Sequence, residues 1–73
     1  MPVYNLGHTA WASGPYGKAD AMQTAQPERW VAVFRVNDVI YKVYGTKQQV
    51  CDWMDRAVQT GNPTSEKLKV EIV

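Results

Sequence analysis

The chain has 73 residues, with eight Lys and Arg against seven Asp and Glu and a formal net charge of +1. That length holds one domain and one core and excludes a second, and the near-neutral balance excludes a long-range pull towards DNA or an anionic membrane. The only cysteine, Cys51, excludes an intrachain disulfide and a multi-thiolate zinc site, and points to a reducing, cytoplasmic compartment.

Residues 1 to 28 contain Pro2, Gly7, Gly14, Pro15, Gly17 and Pro27, and no amphipathic period lasts beyond one turn. The segment reads as irregular. Val3 to Leu6 offers a short strand and Asp20 to Gln26 a short helical turn. Tyr4, Leu6, Trp11, Tyr16 and Met22 carry more apolar surface than a disordered tail, so the segment packs on its own domain or on a partner. No basic region followed by an apolar stretch opens the chain, and no segment approaches the roughly 20 apolar residues that span a bilayer.

Arg29 to Val36 and Val39 to Tyr44 are two strand-like runs joined by Asn37-Asp38, residues that tolerate the positive φ of a type I′ turn. The expected hairpin sets Val36 opposite Val39, Phe34 opposite Tyr41, Ala32 opposite Val43 and Trp30 near Gly45 on a core face. Its other face holds Val31, Val33, Arg35, Ile40, Lys42 and Tyr44, apolar away from the turn and basic near it. Small domains rarely expose a large apolar patch, so the N-terminal segment is expected to cover this face.

Thr46 and Gln49 have capping-box spacing, and Val50, Trp53, Met54, Ala57 and Val58 recur every three or four residues. The pattern predicts a helix over 47–60, ended by Gly61 and Pro63. Leu68, Val70 and Ile72 alternate with charged residues and predict a further strand. The expected fold is α+β, with an irregular segment over 1–28 and a β-β-α-β domain over 29–73. Its three-stranded antiparallel sheet has the order 2-1-3, the last strand pairing with the first run.

No catalytic set emerges. His8 is the only histidine and lies in a glycine-punctuated segment. Cys51 borders the helical stripe, where a thiol behaves as a small apolar group unless a cation such as Lys47 lowers its pKa. Metal-ligand spacing is absent, and Pro15 spoils the likeness of Ser13 to Lys18 to a phosphate loop, leaving a turn. The expectation is a binding protein without cofactor or metal, monomeric when free. Its contact residues are Tyr4, His8, Trp11, Tyr16, Arg29, Arg35, Lys42 and Tyr44. A strand could also add along the edge at Ile40 to Tyr44.

Compact, nearly neutral, with one cysteine, a Met1-Pro2 start and aromatic residues in an irregular N-terminal part, the chain resembles the small phage-encoded regulators that bind bacterial RNA polymerase. The resemblance implies a stoichiometric contact that inhibits initiation and favours antitermination by holding the polymerase in one conformation. Two alternatives stand beside it: a nucleic-acid-binding module using Arg29, Arg35, Lys42 and Tyr44, and a structural subunit of a virion or other assembly.

Overall fold

The computed structural model describes the backbone of residues 3–5 and both backbone and side chains of residues 7–73. Its strands are β1 (Val3–Asn5), β2 (Thr9–Gly14), β3 (Gly17–Gln23), β4 (Trp30–Val36) and β5 (Val39–Gly45). The helix α1 (Lys47–Thr60) follows, and a two-residue strand β6 (Glu71–Ile72) closes the chain. All neighbours pair antiparallel in the order β1-β2-β3-β4-β5, with β6 added along β5.

The expected order 2-1-3 is therefore wrong. β3, rather than the C-terminal strand, occupies the second edge of β4, and β6 joins the outer edge of β5. The segment expected to be irregular is instead largely strand, because β2 and β3 form a tight hairpin around Pro15-Tyr16, with Gly14 facing Gly17. Asp20 to Gln23 lies within β3 instead of a helical turn. The short strand expected at Val3 is present as β1, while Leu6 falls outside the described residues.

Register explains why this longer meander forms. Ala10, Ala21, Ala32 and Val43 make one continuous rung across β2 to β5, and Ala12, Ala19, Phe34 and Tyr41 make the next. The alanines on both rungs are buried beneath α1. Small side chains there let the helix sit close to the sheet, and the end of β2 lies tight against it: a Cβ placed on Gly14 would lie 2.5 Å from the Val58 carbonyl oxygen. The Tyr16 amide donates to that same oxygen at 3.1 Å.

Val50, Trp53, Met54, Ala57 and Val58 form the buried stripe of α1. The capping box is complete: Gln49 N donates to Thr46 Oγ1 at 3.2 Å, and Thr46 N donates to Gln49 Oε1 at 3.0 Å. Gly61 ends the helix at φ 74°, a left-handed conformation that glycine adopts without strain. The β4-β5 hairpin keeps its expected register, and Asn37 and Asp38 both take positive φ, 51° and 65°.

The C-terminal alternation produces less strand than expected. Leu68 is buried in the core, but it reaches it from a loop in which Ser65 Oγ accepts from the amides of Lys67 and Leu68. Among the described residues, no helix is long and apolar enough to cross a membrane.

Candidate functional site: the open face of the sheet

One face of the sheet is covered by α1, and the N-terminal strands extend the sheet sideways instead of folding over its other face. The expected cover is thus absent among the described residues. Single-layer coverage of this kind is a normal state of an antiparallel sheet. Three cross-strand rungs make up the open face: Thr9, Met22, Val31 and Tyr44; Trp11, Asp20, Val33 and Lys42; Ser13, Lys18, Arg35 and Ile40.

The long cations on this face reach along or diagonally across the strands. Arg29 lies over the Tyr44 ring at 4.6 Å, Lys42 approaches the same ring at 5.4 Å, and Lys18 stands 5.6 Å from the Trp11 ring centre. Such distances fall within cation–π range. Arg35 Nη1 donates to Asp20 Oδ2 at 3.0 Å. Half of the chain's eight basic residues sit on this face, opposed by Asp20 and, on the β6 edge, Glu71. A chain of net charge +1 therefore has a locally cationic surface.

Between the two aromatic positions lies a shallow depression of about 370 Å³, with Trp11, Asp20, Met22, Val31, Val33 and Arg35 among its lining residues. Met22 is 55% exposed. The two aromatic residues stand on β2 and β5, three strand spacings or about 14 Å apart across the sheet and one rung apart along it.

Five of the contact residues expected from sequence, Trp11, Arg29, Arg35, Lys42 and Tyr44, come together here. Tyr4 pairs with Trp11 at the Cα level, and its side chain is outside the described residues. His8 stands apart, its Nδ1 donating to Gln23 Oε1 at 2.7 Å. Tyr16 is also separate, at the helix end, where a Cβ on Gly61 would come within 2.8 Å of its ring. Lys18, Asp20 and Met22 were missed because their strand was not foreseen. The signal was alternation of Ala19 and Ala21 with those three residues, a period of two carried by small side chains.

The hairpin edge is less available than expected, since β6 pairs with Tyr41 and Lys42 and the Val73 amide donates to the Ile40 carbonyl at 2.8 Å. Burial pushes the Cys51 thiol pKa up from its ordinary value, with Lys47 pulling the other way and Asp52 adding to the rise. This is the opposite of the activation a nucleophilic thiolate needs. Among the described residues, no three His, Cys, Asp or Glu side chains cluster as metal ligands would.

Fold and site together define a small α+β protein: an antiparallel meander backed by one helix, with its other face open, cationic and aromatic. Comparison with family models, with curated proteins and with solved structures finds no match.

Proposed function

We propose that this chain is a binding module that takes single-stranded nucleic acid on the open face of its sheet. The carrying observation is the pairing of cations with rings at both ends of that face, Lys18 with Trp11 and Arg29 and Lys42 with Tyr44. Rings held on a sheet offer stacking surfaces for bases, and neighbouring cations neutralise the phosphates between them. Stacking is tolerant of sequence, and the phosphate contacts make affinity fall with salt.

A protein partner is the second reading, favoured by exposed Met22 beside Val31 and Val33 in the central depression. It covers a stoichiometric regulator of bacterial RNA polymerase docking through this face. Apolar docking is weakly salt-dependent, whereas phosphate binding is not.

Fluorescence anisotropy of a labelled twelve-nucleotide thymidine oligomer, titrated with protein at several salt concentrations, tests the first reading. The expected result is saturable binding whose logarithmic salt slope is about −0.7 for each phosphate neutralised. Absence of binding at low salt rejects it.

A further inference from the structure

The depression at the centre of the open face has a polar wall as well as an apolar floor. Val31, Val33 and Met22 supply apolar surface, while Asp20 and Arg35 line the same space as a joined donor and acceptor. Their side chains remain 42% and 57% exposed. A single bond, Nη1 to Oδ2, joins them. A carboxylate has about four acceptor sites and a guanidinium five donors, so most of the pair's capacity remains for a ligand.

Resting on the nucleic-acid reading above, we propose that this depression is a base-reading subsite that selects guanine in a single strand. Guanine presents an acceptor, O6, beside two donors, N1–H and the N2 amino group. Arg35 donates to O6, and the Asp20 carboxylate accepts from N1–H and N2–H together. The apolar floor meets the face of the base. Thymine places a carbonyl oxygen on each side of its single N–H, which sets one of them against the carboxylate. Cytosine offers Asp20 one donor group where guanine offers two. The unstacked bases of a single strand expose these edges, which are paired in a duplex.

The match also explains why an acidic residue belongs on a phosphate-binding face. Asp20 weakens the attraction for phosphate, and its value lies in discriminating between bases.

The test compares three twelve-nucleotide oligomers by anisotropy at one low salt concentration: all thymidine, thymidine alternating with deoxyguanosine, and thymidine alternating with deoxycytidine. The guanine oligomer is expected to bind about tenfold more tightly than the all-thymidine one, the scale of one good bidentate contact. Asp20→Asn is expected to shrink that ratio to about twofold or less, and Arg35→Gln to reduce it as well. Equal affinities, a preference for the cytosine oligomer, or a guanine preference that survives Asp20→Asn overturn the subsite while the sheet-face reading stands. Failure of all three oligomers to bind overturns that reading too.

Discussion

Arg29 sets its guanidinium 4.6 Å from the centre of the Tyr44 ring, tying the residue before β4 to the end of β5 across their shared edge. In that position the cation stays near the ring without being buried beneath it, as Arg29 is exposed and Tyr44 half-buried. Tyr44→Ala is expected to cost about 1–3 kcal/mol in single-strand affinity, the scale of one stacked base. Arg29→Ala is expected to weaken binding to all sequences alike and to make the salt slope shallower by about 0.7. Anisotropy titrations of both variants across salt concentrations check this.

Beneath the other face, Trp53 meets Phe34 edge-on, with ring centres 6.4 Å apart and an interplanar angle of 89°. Its Nε1 donates to the Pro63 carbonyl at 2.7 Å, so one side chain joins the helix, the sheet and the C-terminal loop. Trp53→Ala is expected to lower stability by about 3–5 kcal/mol through loss of buried area and the cavity left behind. Urea unfolding followed by circular dichroism measures it, and a variant as stable as the parent removes Trp53 from the core.

The parts of this fold legible in the sequence are those whose signals are strong and local. Asn37-Asp38, the Thr46–Gln49 box and the Val50 to Val58 stripe each fix a short stretch without help from distant residues. The β2-β3 hairpin was hidden because its inward positions are Ala10, Ala12, Ala19 and Ala21, which have little strand preference of their own. They are strands because α1 needs a shallow surface to rest on, a tertiary requirement absent from a local window. Without β3 the second edge of β4 looks vacant from sequence, and the alternating C-terminal run is the only other strand pattern able to fill it. The site followed the same division: Arg35, Lys42 and Tyr44 were visible on the hairpin, while Lys18, Asp20 and Met22 became neighbours of theirs only once β3 was paired.

Gly14 packs directly against the backbone of Val58 in α1. Gly14→Ala places a methyl group 2.5 Å from the backbone oxygen of Val58, which has no side-chain freedom with which to yield. The expected loss is about 1–3 kcal/mol, the usual cost of overpacking. Thermal unfolding reports it as a lowered Tm, and an unchanged Tm contradicts the close packing of β2 against α1.

Removal of residues 1 to 26 takes away β1, β2 and β3 together with four buried alanines. The β4-β5 hairpin, the two-residue β6 along its edge and one helix remain, too little sheet to bury the stripe of α1. The truncated chain is expected to be unfolded by circular dichroism and by amide exchange. A folded, cooperative product contradicts the place of these strands in the core.

Binding on the open face of the sheet is examined most directly by NMR titration of the isotopically labelled protein with a single-stranded oligomer. Amide shift changes are expected to concentrate at Trp11, Lys18, Asp20, Val33, Lys42 and Tyr44, with the outer side of α1 around Asp52 and Arg56 unmoved. Changes confined to that outer side of the helix, or no changes at saturating oligomer, contradict binding on the open face.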